Sequence, residues 1–222
     1  ILKQAGINAG LFTSPHLVHF GERIRDAERL ISPEEIESGI ARLRGLVRDW
    51  DPHPTFVELA FALALDWFSQ RGLEWIVLET GLGGRLDATN AITPVVSVIT
   101  PIGWDHMQIL GDTLAKIASE KAGIIKPDVP FVTQTQDQEA LDVLLASARE
   151  KHAPLTLITE PCELPLGLAG PHQRWNAALA LAALRAAGLD LPAKVIEAGL
   201  KQVEWPARFQ RLRADVILDR RD

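Results

Sequence analysis

Three polar residues, Ser14, Glu79 and His106, stand at or just after the ends of short apolar runs of strand length. The runs are AGLFTS, WIVLE and VVSVIT, and their lack of polar alternation is typical of parallel strands covered on both faces. Ligands of open α/β sheets bind at the carboxyl ends of such strands. A hydroxyl, a carboxylate and an imidazole at one edge could ligate a divalent cation, either Mg²⁺ or, because imidazole takes part, Mn²⁺.

Each of these residues also has a structural interpretation when it is taken alone. A glutamate at a strand end is more often a solvated or capping residue, and a histidine near a turn more often lies at the surface. The glycine-rich segment 81–90 does not form a G-x-G-x-x-G fingerprint, since position 86 is leucine. Its glycines could simply permit a tight turn. Any functional interpretation therefore depends on the combination of these features.

The elements that would position these residues alternate along the chain. Ser32-Pro33-Glu34-Glu35 is a capping box with proline at the first helical position, and it predicts a helix through about Trp50. A fourth apolar run, PFVTQ, predicts another strand. This alternation predicts an α/β fold with a doubly wound, mostly parallel sheet. Further helices are predicted over residues 55–70, from a cap at Asp112 to about Lys121, and over residues 137–151 and 171–187.

The character of the chain changes after Trp205, where WPARFQRLRADVILD is typical of a linker that leads into a new strand. We predict a central domain over residues 1–204, and a linker with the first strand of a second domain over residues 205–222. The opening ILKQAG resembles the end of a helix. We therefore expect the chain to be part of a longer protein.

Composition excludes some classes of partner. The net charge of −6 argues against nucleic acid, which needs a basic face. No apolar run reaches the roughly 18 residues of a transmembrane helix. The single cysteine, Cys162, permits no internal disulfide and favours a reducing cytoplasm. We expect a cytoplasmic protein with small-molecule partners and no membrane or nucleic-acid partner.

Five strings occur in one order and span nearly the whole chain: TSPHLVHFGERIR, ETGLGGRLDATN, SVITPIGWDHMQILGDTLAKIASEKAGIIK, GPHQRWNAALALAAL and WPARFQRLRADVILD. Together they closely resemble the folylpolyglutamate synthase and dihydrofolate synthase family of the Mur-ligase superfamily. The resemblance implies a P-loop-NTPase-like central ATPase domain, the start of a smaller Rossmann-like C-terminal domain, and a monomer. It also implies a reaction. ATP phosphorylates a folate or dihydropteroate carboxylate, and the amine of L-glutamate attacks the acyl phosphate to form an amide.

The resemblance also implies roles for residues in catalysis and metal binding. Glu79 and Ser14 match ligands of Mg²⁺, and His106 matches a ligand of a second metal ion. Lys121, in SEKAGIIK, matches a lysine that the family carries as a carbamate, an anion that could ligate Mg²⁺. Arg208 matches an arginine of the linker that reaches the ATP phosphates.

The remaining matches concern the nucleotide and the acceptor substrate. Gln173 and Asn176 match residues on the adenine side, and Asp219 matches an aspartate near the nucleotide. The residues that match the acceptor site are Thr55, Phe56 and Glu58 at the start of a helix near the pterin pocket, and Arg85 and Asp87 in the loop that shapes the folate site.

The sequence also departs from the family pattern. The G-x-x-G-K-[ST] phosphate loop that precedes the equivalent of ILKQAG in the family is absent, so this segment alone should bind nucleotide very weakly. Where the family continues Gly-Ala-His-Asn-Pro after the position of Asp219, this chain has RRD. In this chain, residues 159–170 stand where the family has an extra run of strands.

Three alternatives stay open: another Mur-type amino-acid ligase, a truncated non-catalytic binding module, and a plain P-loop ATPase or kinase. The choice between the two folate activities is also open.

Overall fold

A computed structural model describes residues 1–207, 210–213 and 216–218. These residues form two compact units. The N-terminal unit comprises residues 6–92 with Leu2, and the C-terminal unit comprises residues 93–222 with Ile1 and residues 3–5. Each unit contains helices and parallel strand pairs, which confirms the predicted α/β fold.

The sheet of the N-terminal unit has three strands in the order β2-β1-β3. Strands β1 and β3 are parallel and in register from the pair Ala9↔Trp75 to the pair Phe12↔Leu78. Strand β2 is antiparallel to β1 and was not predicted, because two residues are too few to show a periodicity. The bounds are Ala9–Phe12 for β1, Ile24–Arg25 for β2 and Trp75–Leu78 for β3.

Two helices of the N-terminal unit, α1 (Pro33–Val47) and α2 (Phe56–Gln70), begin at capping boxes. At α1, the Ser32 hydroxyl accepts the N–H of Glu35 at 3.3 Å, and the Glu35 carboxylate accepts the N–H of Ser32 at 2.8 Å. The predicted start of α1 is therefore confirmed, although the helix ends three residues before Trp50. Short 3₁₀ helices cover Phe20–Arg23 and Ala88–Ala91.

The apolar face of α2 packs on the sheet. Phe12 of β1 and Phe61 of α2 have ring centroids 5.6 Å apart. Gly10 of β1 lies so close to the ring of Phe68 that an added Cβ would come within 2.7 Å of it. Burial of these aromatic side chains stabilises this unit.

Helix α1 packs against α2 at Gly39, where an added Cβ would collide with Leu63 Cδ1. We expect Gly39→Ala to destabilise the protein by about 1–3 kcal/mol, since overpacking outweighs the gain in helix propensity. Gly45 of the same helix has open space around it, so Gly45→Ala should stabilise by about 0.5–1 kcal/mol. The free energy of unfolding in urea measures both changes. Shifts of the same sign in the two variants would contradict this packing.

A buried carboxylate ties the turn after β2 to the end of α2. Asp26, whose side chain is 0% exposed, accepts the backbone N–H groups of Glu28 and Arg29 at 2.8 and 2.9 Å. The Nε and Nη2 atoms of Arg71 donate to its other oxygen at 2.8 and 2.5 Å. The guanidinium carbons of Arg29 and Arg71 lie 5.4 and 5.6 Å from the ring of Trp67. The buried Asp26 carboxylate is therefore hydrogen-bonded through both of its oxygens, as a charge in a protein interior must be.

The C-terminal unit contains a parallel sheet in the order β4-β5-β6. Consecutive residues of β5, Phe131 and Val132, belong to two different apolar clusters. Successive side chains of a strand point to opposite faces, so both faces of this sheet are covered, as predicted. The strands are Ser97–Val98, Phe131–Gln134 and Leu155–Ile158, and the helices are α3 Met107–Leu110, α4 Leu114–Lys121, α5 Gln138–Glu150, α6 Pro171–Ala186 and α7 Ala193–Lys201.

The prediction that Asp112 caps helix α4 was wrong. The cap is Thr113, whose side chain accepts the N–H of Lys116 at 3.1 Å. Asp112 instead accepts a hydrogen bond from the Lys116 ammonium at 2.7 Å. Both residue types are good caps, and the geometry of the backbone decides between neighbours. Strand β6 and helices α3 and α7 were not predicted.

Beyond residue 207, two strands, β7 (Gln210–Arg213) and β8 (Val216–Leu218), pair antiparallel. The sequence predicted one strand in this region. The boundary between domains at residues 204 and 205 stays a prediction. In the described part of the chain, no helix is both long enough and apolar enough to cross a membrane.

Candidate active site

The carboxyl ends of β1 and β3 bring Ser14 and Glu79 together in the N-terminal unit. The two strands are parallel neighbours in register, so the residues that follow them emerge at the same edge. The backbone N–H of Ser14 donates to Glu79 Oε2 at 2.7 Å, and the N–H of Glu79 donates to the carbonyl of Phe12 at 2.9 Å. Of the residues predicted to share one edge, Ser14 and Glu79 lie together, whereas the convergence of His106 and Lys121 with them stays a prediction.

The glycine-rich loop 81–90 is organised by the carboxylate of Asp87. One oxygen of Asp87 accepts the N–H groups of Gly81 and Leu82 at 3.0 and 3.1 Å. The other oxygen accepts the N–H and the hydroxyl of Thr89 at 2.9 and 2.6 Å. The loop therefore gets its shape from Asp87 itself. Arg85 is exposed in the same loop, and its backbone carbonyl accepts a hydrogen bond from the Asn90 amide at 3.0 Å.

A cavity of about 290 Å³ lies between β1, α2 and the loop 81–90. It approaches the size of small-molecule pockets, which begin at about 300 Å³. An apolar wall beside polar groups suits a flat organic molecule that carries a few hydrogen-bonding atoms. The wall is formed by Phe12, Val57 and Ala60, and the polar part by Ser14, Arg23 and Asp87.

Arg23 is the basic residue that lines this cavity, and its side chain is held on two sides. Its Nε donates to His16 Nδ1 at 2.8 Å, and its guanidinium carbon lies 5.5 Å from the centroid of the Phe56 ring. Burial lowers the pKa of Arg23, whereas the charge of Glu79 raises it. Arginine stays protonated under such opposed influences. Arg23 and His16 both lie within the string TSPHLVHFGERIR, but no pattern in the sequence indicated a role for either residue.

The residues predicted to bind the acceptor at the start of α2 have a clear structural function. The Thr55 N–H and hydroxyl both donate to Glu58 Oε2 at 2.7 Å, and the Thr55 hydroxyl accepts the Glu58 N–H at 3.3 Å. Phe56 packs against Arg23 and has a ring centroid 6.0 Å from that of Phe20. Binding of a substrate by Thr55, Phe56 and Glu58 stays a prediction.

His106 and Lys121 belong to the C-terminal unit. His106 has a left-handed backbone with φ of 51°, which is uncommon for a residue other than glycine. Its N–H donates to Asp105 Oδ1 at 2.7 Å, and its Nε2 lies 3.4 Å from Asp105 Oδ2. Lys121 is the last residue of α4 and is half-buried. Their predicted roles in metal binding stay predictions.

Over the described ranges, no three side chains of His, Cys, Asp or Glu form a group that could hold a metal ion. Glu79 and Ser14 would supply one carboxylate and one hydroxyl to such a site. This donor set fits Mg²⁺, which is usually bound through one or two carboxylates while water and phosphate oxygens complete the shell.

The predicted adenine-side residues lie at the beginning of α6. The Asn176 amide donates to Gln173 Oε1 at 3.1 Å, and Gln173 Nε2 lies 3.1 Å from His172 Nε2. A cavity of about 280 Å³ adjoins this helix start, lined by residues that include Gly170 and Arg174. Arg208 and Asp219, the other predicted nucleotide-binding residues, lie outside the described residues.

No model of a protein family matches the chain. The comparison with curated sequences and the comparison with solved structures both identify proteins of one family. The chain is 35% identical over 243 residues to the dihydrofolate synthase/folylpolyglutamate synthase of Bacillus subtilis, an alignment that covers 95% of this chain and 56% of that protein. A folylpolyglutamate synthase of Mycobacterium tuberculosis complexed with ADP is similar in structure, with a TM-score of 0.90, 32% identity, and coverage of 98% of this chain and 57% of that chain. The Escherichia coli FolC protein in complex with DHPP and ADP gives a TM-score of 0.88 and 33% identity, with coverage of 98% and 56%.

The chain therefore spans somewhat more than half the length of these relatives. The alignment with the Bacillus subtilis protein is longer than the 222 residues of this chain, so that protein has internal segments that this chain lacks. This agrees with the expectation that the chain is shorter than its family pattern within at least one connecting segment.

Proposed function

This chain belongs to the folylpolyglutamate synthase/dihydrofolate synthase family, and from that premise we propose that the intact protein is an ATP-dependent ligase. It joins L-glutamate to the carboxylate of dihydropteroate or of a reduced folate. The observation that supports this proposal best is the pairing of Ser14 with Glu79 beside a cavity with an apolar wall. The presence of ADP in the Mycobacterium tuberculosis relative, and of DHPP with ADP in the Escherichia coli relative, supports it as well.

The chemistry explains why such a site is needed. A carboxylate is a poor electrophile, and phosphorylation by ATP supplies a leaving group that the amine of glutamate can displace. The protein must hold the reactants in line, stabilise phosphate charge and exclude water. Ser14 and Glu79 would hold Mg²⁺, which supplies stabilisation of phosphate charge when bound.

We assign the remaining groups to the same reaction. His106 would bind a second metal ion, and a carbamate on Lys121 would give that residue the negative charge that a metal site requires. Arg208 would stabilise the phosphates through its guanidinium. Gln173 and Asn176 can offer donors and acceptors to an adenine edge. Asp219 would approach the nucleotide from a C-terminal domain that begins near residue 205.

The acceptor substrate would occupy the cavity of the N-terminal unit. The wall formed by Phe12, Val57 and Ala60 suits the flat face of a pterin ring, and Asp87 lines the same cavity. Thr55, Phe56, Glu58 and Arg85 would support this binding from the edge of α2 and from the loop 81–90. We propose that the protein is a monomer, as the family resemblance implies. We also propose that it is cytoplasmic, since a free, buried cysteine suits a reducing compartment.

The test is phosphate release by the intact protein with ATP, Mg²⁺ and L-glutamate, with dihydropteroate and tetrahydrofolate compared as acceptors. We expect release that requires both glutamate and one of the two acceptors, and the preferred acceptor names the activity. Turnover of ATP that is independent of glutamate would indicate a plain ATPase. An absence of glutamate-dependent release with either acceptor would overturn the folate assignment and favour another Mur-type ligase.

A further inference from the structure

Two carboxylates hold residues 14–23, the loop that forms most of the connection between β1 and β2. Glu79 accepts the N–H of Ser14 at the first residue of the loop. Glu22 holds its middle, because its two oxygens accept the N–H groups of Leu17, Val18 and His19 at 2.7, 3.0 and 2.8 Å. The path of the loop therefore depends on Glu22 as well as on Glu79.

Three converging donors exceed what a helix cap requires. The bond from His19 is the ordinary reach-back of a glutamate at the third position of the 3₁₀ helix Phe20–Arg23. Leu17 and Val18 precede that cap, and their N–H groups have no part in starting the helix. Consecutive N–H groups that face one anion form a concave anion site, here filled by a side chain of the same loop. These bonds, led by that from His19, lower the pKa of Glu22, so the carboxylate is ionised at neutral pH.

The loop determines what lines the acceptor cavity. Ser14 and Pro15 line it directly, as does Arg23 at the other end of the loop. His16, which follows Pro15 in the chain, accepts the hydrogen bond from Arg23 Nε. A change in the path of the loop would therefore move both the acceptor for Arg23 and the wall of the cavity.

We propose that Glu22 is a positioning residue for the acceptor substrate. By binding three consecutive N–H groups, it holds the loop 14–23 so that His16 and Arg23 keep their places at the cavity. Glu22 itself does not line the cavity and is not required to touch the substrate. This inference rests on the proposed function, since it assumes that the cavity receives the acceptor.

The choice of variants follows from how the three bonds divide between the carboxylate oxygens. Oε1 accepts from Val18 and His19, and Oε2 accepts from Leu17. In Glu22→Gln, one oxygen becomes an NH₂ group, which must face at least one N–H as a second donor. Glu22→Ala removes all three bonds. Glu37→Gln, at an exposed position of α1, makes the same chemical change away from the loop.

Steady-state kinetics of the intact protein test the proposal. We expect Glu22→Gln to raise the KM for the acceptor about tenfold, the effect of about one charge-assisted hydrogen bond, and Glu22→Ala to raise it further. The KM for ATP should stay within about twofold of wild type, and Glu37→Gln should resemble wild type. A merely structural role would reduce the amount of active enzyme for all substrates alike. A fall in turnover that is the same for all substrates, with an unchanged KM for the acceptor, would overturn the proposal.

Hydrogen exchange provides a readout that does not depend on activity. The amides of Leu17, Val18 and His19 should exchange faster in Glu22→Ala than in wild type, while amides of α2 keep their protection. Unchanged exchange at the three amides would overturn the role of Glu22 even if the enzyme is active. Failure of the wild type to release phosphate with either acceptor would instead overturn the proposed function, so the two failures are distinguishable.

Discussion

Replacement of Glu79 by alanine is expected to lower glutamate-dependent phosphate release by at least about a hundredfold, the usual effect of removing a group that stabilises transition-state charge. The change removes the proposed carboxylate ligand of Mg²⁺. It also removes the acceptor for the N–H of Ser14, 2.7 Å away, so the hydroxyl beside it loses its fixed position. Initial rates at saturating ATP and acceptor measure the effect.

Two controls separate the chemistry of Glu79 from the stability of the unit. Glu79→Gln keeps the shape and an oxygen that can accept from Ser14, but it lacks the charge, so it should remain severely impaired. Glu74→Ala removes an exposed carboxylate at the opposite end of the same strand, just before β3, and should leave the rate unchanged. Rates of Glu79→Ala within about threefold of wild type would exclude Glu79 as a metal ligand of the reaction.

Asp26→Ala should be the most destabilising of the substitutions considered, at about 3 kcal/mol. It leaves the Arg71 guanidinium, whose side chain is only 28% exposed, without its buried partner. It also leaves the N–H groups of Glu28 and Arg29 without their acceptor. The midpoint of urea unfolding measures the loss.

A second arginine–aspartate pair in the same unit is the matched control. Arg42 Nη2 lies 2.6 Å from Asp66 Oδ2, but the two side chains are 49% and 32% exposed. Asp66→Ala should therefore cost less than about 1 kcal/mol. Equal losses in the Asp26 and Asp66 variants would show that burial of the first pair contributes nothing.

The pH dependence of the Asp26 effect follows from its hydrogen bonds. Burial raises the pKa of Asp26, but the N–H groups of Arg29 and Glu28 and the side chain of Arg71 outweigh it, so the folded pKa is below the ordinary value. A depressed folded pKa contributes stability above the unfolded pKa and loses it as pH falls through the folded pKa. The difference in stability between wild type and Asp26→Ala should thus be constant near neutral pH and narrow in acid.

Local signals in the sequence predicted those parts of the fold that depend on neighbours in the chain. The capping box at Ser32 predicted the start of α1, because both of its hydrogen bonds form within four residues. The cap of α4 was misplaced from Thr113 to Asp112, since two adjacent residues of suitable type differ only in backbone geometry. Strand β2 is defined by pairing with β1, and so no pattern within its own two residues could predict it.

The candidate site likewise has parts that the sequence could predict and parts that it could not. The approach of Ser14 to Glu79 was predictable, because both follow strands that the apolar runs identify and parallel strands end at one edge. The contacts of Arg23 with His16 and Phe56 were not, since they depend on how the loop 14–23 folds back over α2. The role of Lys121 comes from the family resemblance alone, and that of His106 from its place after an apolar run together with the resemblance, so both remain proposals.

The in-register pairing of β1 with β3 limits how this protein can diverge or be redesigned. A deletion of one residue in either strand would turn the following side chains to the opposite face, and Ser14 and Glu79 would no longer share an edge. Changes of chain length should be tolerated instead between α1 and α2, at residues 48–54, where most positions are exposed. A library of length variants, or an insertion tag for labelling, should therefore be built at that turn and kept out of the two strands.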